Sequence, residues 1–238
     1  MNKNRLKKSM KLHALHIDAA RFGFPAWLFV LLLNLPGLRA EMIFQDDFKG
    51  GPGEGWSWVR EHREAWRATT NGLEVRIEPG NMWGPQNDAK NVLVRLAPEI
   101  TNHEVEVNVT FKNNPEHQYE QCDLVWYLDD SNMVKLGQEL VDGKLSVVMG
   151  REENDKTKTV KIVPIQFAEL ELRLLVNSSG VRGAFRKAGD PGWREVGECA
   201  LPVSPGKRPR ISLQFYQGEE KLENWARATG FRVFSKPL

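Results

Sequence analysis

The sequence predicts an all-β protein in which two antiparallel sheets pack face to face as a β-sandwich. Several short segments alternate apolar and polar residues, as in residues 73–77 and 105–109, which gives a strand one apolar and one polar face. Segments of this kind recur about every 8–12 residues, which is the spacing typical of sandwiches and barrels. No long stretch shows the 3.6-residue period of an amphipathic helix.

Roughly eleven or twelve strands are predicted along residues 41–238, together with a short helix over residues 222–228. Residues 123–128 are more uniformly apolar than the other segments and indicate a central strand. Residues 133–140 and 145–149 flank an Asp-Gly pair, a strong hairpin signal because Gly accepts the positive φ of a tight turn. Since no low-complexity linker or repeat divides the chain, residues 41–238 are predicted to form one domain.

Residues 1–40 have the composition of a signal peptide or an N-terminal anchor. Basic residues precede an apolar run over residues 24–35, which is shorter than the about 20 residues that a membrane-spanning helix needs. Ala40 offers a small residue for cleavage before Glu41. We therefore expect an exported protein, periplasmic or extracellular, whose leader is either cleaved or kept as a membrane tether. A buried helix is the third alternative for this segment.

The formal net charge of +2 comes from 33 basic and 31 acidic residues. The first 40 residues contain seven of the basic residues but only one acid, Asp18, so the rest of the chain is acidic overall. Nucleic-acid affinity depends on clustered Lys and Arg. The charge distribution therefore argues against a nucleic-acid partner.

The two cysteines leave two alternatives open. Export would permit a disulfide between Cys122 and Cys199. Cys122 lies among strand residues, however, and would also fit as a small buried apolar side chain. Neither cysteine has the spacing of a metal site.

Residues 120–139 resemble the domain-of-unknown-function family numbered 1349, with an apolar strand, an Asp-Asp turn and a second strand. The second strand matches that family at Lys135, Gly137 and Glu139. Residues 141–148 continue the likeness as a hairpin, whereas Met133 stands where a Trp is usual.

Trp56-Ser57-Trp58, followed by Trp66 and by residues 72–75, is similar to the accessory C-terminal β-sandwich of family 43 glycoside hydrolases. Both groups have the concanavalin A-like jelly-roll fold, so the two resemblances imply that fold for most of residues 44–234. They imply less about function, because this fold hosts lectins, glycosidases, lyases and structural modules.

Four polar residues are predicted to line a concave sugar-binding face. The period of two places Lys135 and Glu139 on one strand face, and Gln214 and Tyr216 on another. A sugar site needs such groups for hydroxyls and aromatic rings for the C–H faces of pyranoses. The alternative is a solvated, salt-bridged sheet face.

Two tryptophans are candidate stacking platforms. Trp83 lies in a loop between Pro79-Gly80 and Gly84-Pro85, where a large ring either binds a ligand or plugs the edge of the sandwich. Trp66 follows a charged run and is either a platform or a surface residue. Trp126 lies in an apolar run and is predicted to be core.

Catalytic signals are weak. A glycoside hydrolase needs two carboxylates roughly 5–10 Å apart. Related jelly-roll glucanases align three acids as Glu-x-Asp-x-x-Glu on one strand, and no such run occurs here. The acidic residues within 152–155 come closest to such a run but are interpreted as part of a polar loop. The remaining candidate pair of catalytic carboxylates is Asp123 with Glu139, on neighbouring strands.

No cofactor or metal site is predicted, although Asp46-Asp47 is the pair that could contribute to a structural calcium site. The predicted function is a non-catalytic carbohydrate-binding-like module for a poly- or oligosaccharide. The alternatives are a glycan-active enzyme with dispersed acidic residues, and a structural or protein-interaction module.

Overall fold

The computed structural model describes residues 40–238 and places fifteen strands in two antiparallel sheets that pack face to face, which confirms the predicted all-β sandwich. The strands are β1 (Glu41–Asp46), β2 (Trp56–Val59), β3 (Trp66–Thr69), β4 (Gly72–Arg76), β5 (Val92–Leu96), β6 (His103–Lys112), β7 (Gln121–Asp129), β8 (Asn132–Val141), β9 (Lys144–Glu153), β10 (Lys156–Pro164), β11 (Glu169–Asn177), β12 (Gly180–Lys187), β13 (Arg194–Cys199), β14 (Arg210–Tyr216) and β15 (Trp225–Pro237). A single 3-10 turn, Arg63–Ala65, lies between β2 and β3.

The eight-stranded sheet has the order β13-β12-β11-β6-β15-β4-β3, and β1 pairs with β15 beside this path. The seven-stranded sheet has the order β10-β9-β8-β7-β14-β5-β2. Hairpins such as β8–β9 join neighbours along the chain, whereas β14 inserts between β7 and β5 from far away in sequence.

The main core lies between the two sheets because each strand points every second side chain inward. Leu124 and Trp126 of β7 are buried against the same cluster as Leu172 and Leu174 of β11. Trp126 is 1% exposed, so the prediction that it is core is confirmed. Each such side chain contributes about 1.5–3 kcal/mol through burial, which makes this layer the main source of stability.

The outer face of the eight-stranded sheet is solvated and charged. Strand β11 alternates buried residues with half-exposed ones. On this face Glu171 forms an ion pair with Arg186 across β11 and β12 at 2.5 Å. The guanidinium groups of Arg173 and Arg186 both lie over the ring of Trp193, at 4.3 and 4.4 Å from its centroid.

The outer face of the seven-stranded sheet is instead partly covered by the segment that connects β4 to β5. Met82 and Ala89, from the segment between β4 and β5, pack with strand residues into a second buried cluster: Val92, Val94, Val125, Tyr127, Met133 and Tyr216. Arg60 holds this segment in place, because its Nε donates to the carbonyl oxygen of Ala89 at 2.6 Å and its Nη1 pairs with Asp130 at 2.7 Å. We call residues 77–91 the covering segment.

Two sequence predictions about strands need correction. The helix predicted over residues 222–228 is wrong, since β15 begins at Trp225 and pairs with β4 and β6. The strand count was too low because several strands lack a readable alternation. Strand β10, for example, is exposed or half-exposed at every position.

Both cysteines are free thiols, so the disulfide alternative is not realised. Cys122 lies in the main core, where burial raises its thiol pKa well above the usual value. Burial also raises the pKa of Cys199, on β13, to about 11. Both thiols are therefore expected to react slowly at neutral pH.

Residues 1–39 of the predicted leader lie outside the described part of the chain. Within residues 40–238, the structure contains no helix with the length and apolar character needed to span a bilayer. In the same range, no group of three or more His, Cys, Asp or Glu is placed to hold a metal ion. Asp46, the residue considered for a structural calcium site, has a carboxylate that accepts hydrogen bonds from the backbone N–H groups of Phe48 and Gly53 and from the indole N–H of Trp56.

Candidate functional site

Strand register brings polar side chains into adjacent rows on the outer face of the seven-stranded sheet. In one row Tyr216 of β14 lies opposite Gln121 of β7, which lies opposite Glu139 of β8. In the next row Gln214 lies opposite Asp123, which lies opposite Gly137. Together with Lys135 these side chains form what we call the polar patch: Gln121, Asp123, Lys135, Glu139, Gln214 and Tyr216. All six are 7% exposed or less.

Two glycines make room for larger groups on this face. A Cβ on Gly137 would lie 1.5 Å from Asp123 Oδ1, so only Gly leaves space for that carboxyl group. A Cβ on Gly150 would lie 2.4 Å from the Trp83 ring, so the absent side chain lets the ring rest on β9. These glycines act through close approach rather than through backbone angle.

Lys135 is the hub of the polar patch. Its Nζ donates to Gln121 Oε1, to Glu139 Oε2 at 3.2 Å and to the Tyr216 hydroxyl at 3.5 Å. The same nitrogen lies 4.9 Å from the centroid of the Trp83 ring. A buried ammonium requires such partners, because leaving it unpaired away from water is costly.

Two carboxyl groups on this face have pKa values shifted toward neutrality. Burial raises the pKa of Asp123 to about 6, with Lys135 opposing the shift and Glu139 adding to it. Neither Asp123 oxygen has a hydrogen-bond partner of good geometry. Burial also raises the pKa of Glu152 to about 7, although the Gly84 N–H approaches both of its oxygens at 3.1 and 3.2 Å.

The same surroundings act on Tyr216. Burial raises the pKa of its hydroxyl well above the usual value, and the carboxyl groups of Asp123 and Glu139 reinforce the shift. The hydroxyl therefore stays protonated at neutral pH and remains a hydrogen-bond donor.

A cavity of about 380 Å³ lies over the polar patch. Its walls include aromatic and aliphatic residues, and its floor is polar: Trp83, Tyr119, Val148, Ile162, Gln121, Lys135 and Glu139. Trp83 is fixed by Asn81, whose side chain accepts from its N–H and donates to its carbonyl oxygen. Tyr119 is 49% exposed, so its ring is available at the mouth.

Five of the six predicted site residues lie on this side of the molecule. Trp83, Lys135 and Glu139 line the cavity, while Gln214 and Tyr216 are fully buried in the polar patch. The expectation that Trp66 joins them is not met. It belongs to β3 in the eight-stranded sheet, and the centroid of its ring lies 5.1 Å from that of Trp58. Its indole N–H donates to the Glu61 carboxylate.

The structure adds residues that the sequence did not indicate. Glu152, read as part of a polar loop, is a fully buried residue of β9. Gln121 extends the face already shared by Asp123 and Tyr127, so the period of two could have found it. Tyr119 lies in a loop before β7 with a φ of 68°, and no local pattern marks it.

Two antiparallel sheets packed on a shared core define a β-sandwich. The chain belongs to the family of β-xylosidase C-terminal concanavalin A-like domains, which matches residues 45–205. The resemblance to the C-terminal sandwich of family 43 glycoside hydrolases is thereby confirmed. No curated protein matches the chain.

Solved structures with this fold include three informative cases. The GH43 protein BlXynB from Bacillus licheniformis has 18% identity and a TM-score of 0.68, covering 79% of this chain and 38% of that one. A xylan β-1,4-xylosidase from Bacillus halodurans has 16% identity and a TM-score of 0.66, covering 79% and 38%. A functionally unknown protein from Saccharomyces cerevisiae has 13% identity and a TM-score of 0.59, covering 77% and 97%.

These likenesses concern the fold. The present chain spans about two fifths of the length of the two bacterial proteins, at 38% in each case. At identities of 18% and below, a shared sandwich does not carry over a reaction or a ligand.

Proposed function

We propose that this chain is a non-catalytic glycan-binding domain whose site is the cavity over the polar patch. One observation carries the proposal: the cavity has aromatic walls, Trp83 and Tyr119, above a floor of buried polar groups held by Lys135. Aromatic rings pack against the C–H faces of sugars, and fixed polar groups bind hydroxyls. The ligand class is a poly- or oligosaccharide, in keeping with the family.

The sequence supports a place of action outside the cytoplasm. Basic residues precede the apolar run over residues 24–35, and Ala40 offers a cleavage point before Glu41. We therefore propose export to the periplasm or beyond, with the leader either removed or kept as a tether. N-terminal sequencing of the protein from cell fractions tests this. A cytoplasmic protein with an intact N-terminus would contradict export.

Two further sequence predictions accompany the proposal. The likeness of residues 120–148 to the domain-of-unknown-function family 1349 stays a prediction. That the chain has no nucleic-acid partner also stays a prediction, which rests on the acidic character of the residues after the leader.

Binding is tested with a broad panel of oligosaccharides by calorimetry, comparing the wild-type chain with variants at the mouth. Trp83→Ala and Tyr119→Ala should each weaken binding about tenfold or more, because each removes a stacking surface. Trp193→Ala is the matched control, since it removes a half-buried Trp from the other outer face. A panel without any binder, or equal losses in all three variants, would count against the proposal.

A glycan-active enzyme is the second candidate, and the shifted pKa of Asp123 favours it. A carboxyl group with a pKa of about 6 can serve as a general acid beside a second carboxylate. Asp123 and Glu139 are diagonal neighbours on paired strands, with Cα atoms roughly 7–8 Å apart. Turnover of oligosaccharides that disappears in Asp123→Asn and Glu139→Gln, while both variants keep the far-UV circular dichroism spectrum of the folded wild-type chain at the assay temperature, would establish this role.

A further inference from the structure

We infer that the cavity selects an uncharged, hydroxyl-bearing sugar unit and rejects uronic acids, sulfated sugars and amino sugars. This inference rests on the proposed glycan-binding function and adds the charge class of the ligand. It follows from how the hydrogen-bonding groups that line the cavity are already used.

Lys135 is the one cation among the cavity-lining residues in the described part of the chain. An ammonium group has three N–H donors. All three have protein partners here: Gln121 Oε1, Glu139 Oε2 and the Tyr216 hydroxyl. Lys135 therefore holds the floor together and has no donor left for a carboxylate or sulfate on a ligand.

Two side-chain amides at the cavity each commit one N–H group to the protein. The Gln121 amide donates to the carbonyl oxygen of Tyr119 at 2.8 Å. The Asn81 amide donates to the carbonyl oxygen of Trp83 at 2.9 Å. The side-chain donors that stay uncommitted among the described lining residues, such as the Gln217 amide and the Trp83 indole N–H, are neutral and do not compensate the charge of an anionic ligand.

The charged lining groups other than Lys135 are carboxylates. Within the described residues, Glu139 uses only its Oε2 in a hydrogen bond, so its Oε1 is open to a ligand. Asp142 lies exposed at the rim, and the hydroxyls of Tyr119 and Thr159 also line the cavity. An anionic sugar would meet the carboxylates of Glu139 and Asp142 without an uncommitted cation among the described lining residues to offset them.

A cationic sugar meets the opposite difficulty. At the solvated rim its ammonium would gain little from Asp142, and inside the cavity it would have to approach Glu139 beside the Lys135 ammonium, which already lies 3.2 Å from that carboxylate. A neutral hydroxyl avoids both repulsions, because it can donate to Glu139 and carries no charge to desolvate. The rings of Trp83 and Tyr119 then contact the C–H faces of the same sugar.

The test compares oligosaccharides of matched length and opposite charge on the purified chain. Calorimetry would use a set of neutral hexaoses (xylo-, gluco-, manno- and galacto-), a hexamer of galacturonic acid and a hexamer of glucosamine. At least one neutral hexaose should bind about tenfold or more tightly than either charged hexamer. Tighter binding of a charged hexamer would overturn the charge selection alone. Binding by none of them would overturn the proposed glycan site as well.

The Glu139→Gln variant sharpens this test. It removes the counter-ion of Lys135 while keeping the side-chain shape, so the preference for neutral over galacturonic hexamer should fall about tenfold. Glu171→Gln is the matched control, because it also breaks a Glu–cation pair, with Arg186, but on the other outer face. An unchanged preference in Glu139→Gln contradicts the inference.

A rim variant covers the case in which Glu139→Gln fails to fold. Asp142 is exposed in the β8–β9 turn with a φ of 49°, a conformation that Asn tolerates well. Asp142→Asn should reduce the preference about two- to threefold, since the charge is partly screened by solvent. No change in this variant would likewise argue against charge selection.

Discussion

The two outer faces of the sandwich carry similar residue types in very different surroundings. On the eight-stranded sheet, the side chains of Arg186 and Glu171 pair while about a quarter exposed, at 24% and 21%. On the seven-stranded sheet, Lys135 and Glu139 pair at 3% and 9% exposure. The difference shows that a charged strand face becomes a buried polar patch when other chain segments remove it from water.

Two features account for the difference. The covering segment places Met82 and Trp83 over the seven-stranded sheet. Gly137 and Gly150 leave room for Asp123 and for the Trp83 ring. Burial then shifts the pKa of Asp123 to about 6 and that of Glu152 to about 7. The outer face of the eight-stranded sheet has no comparable cover in the described range, and water screens its charges.

The largest difference between the faces should appear when one cation is removed from each. Lys135→Met leaves Glu139 and Asp123 buried without their counter-charge, which should lower the free energy of unfolding by about 3–5 kcal/mol. Arg186→Met on the eight-stranded sheet should cost about 1 kcal/mol or less. Urea denaturation measures both values, and equal losses would show that the two faces are energetically alike.

The next effect is a dependence of stability on pH. Asp123 and Glu152 have native pKa values of about 6 and 7, above the about 3.9 and 4.3 of the unfolded chain. Between these values the native state binds more protons than the unfolded state, so stability falls as pH rises. The contribution is fully present below about pH 4 and is lost by about pH 8, at up to roughly 3 kcal/mol for Asp123 and roughly 4 kcal/mol for Glu152.

The Asp123→Asn and Glu152→Gln variants isolate this effect. Each should flatten the fall in melting temperature between about pH 4.5 and 8, because neutral amides do not titrate. Glu171→Gln on the other face provides the control and should leave the slope unchanged. If the slope persists in both amide variants, other groups control the pH dependence.

The smallest effect concerns the space that Gly137 leaves. Gly137→Ala places a Cβ where the Asp123 carboxyl group lies, so the free energy of unfolding should fall by about 1–3 kcal/mol. Gly192→Ala serves as the control, since nothing lies within 4 Å of its added Cβ. Combining Gly137→Ala with Asp123→Ala should restore part of the loss. A full loss in the double variant would place the strain elsewhere.

Much of the fold could be predicted from local pattern alone. Residues 105–109 and 170–176 alternate as predicted, and both lie in strands whose inward residues are buried. The same rule put Lys135 and Glu139 on one face, and Gln214 and Tyr216 on another. Local pattern failed where strands are exposed along their length, as in β10, and where β15 replaced the predicted helix.

The candidate site was only half predictable because it joins distant strands. Lys135 and Tyr216 are 81 residues apart in sequence, yet a hydrogen bond joins them since β14 pairs with β7 beside β8. Tyr119 and Trp83 come from loops, whose paths no period describes. Trp66 was wrongly assigned to the candidate site. The sequence around Trp66 does not reveal which sheet its strand joins, and β3 belongs to the eight-stranded sheet.

By itself, the sequence determined the all-β class, the two-faced character of the strands and the apolar core around Trp126. Period-two alternation is local, so adjacent residues suffice to assign each side chain to a face. The tertiary structure decided which strands lie side by side, what covers each outer face and hence which charges are buried. Those outcomes depend on pairing and packing between segments that are distant in sequence. As a result, one outer face carries a buried polar patch and a cavity, whereas the other is a solvated surface.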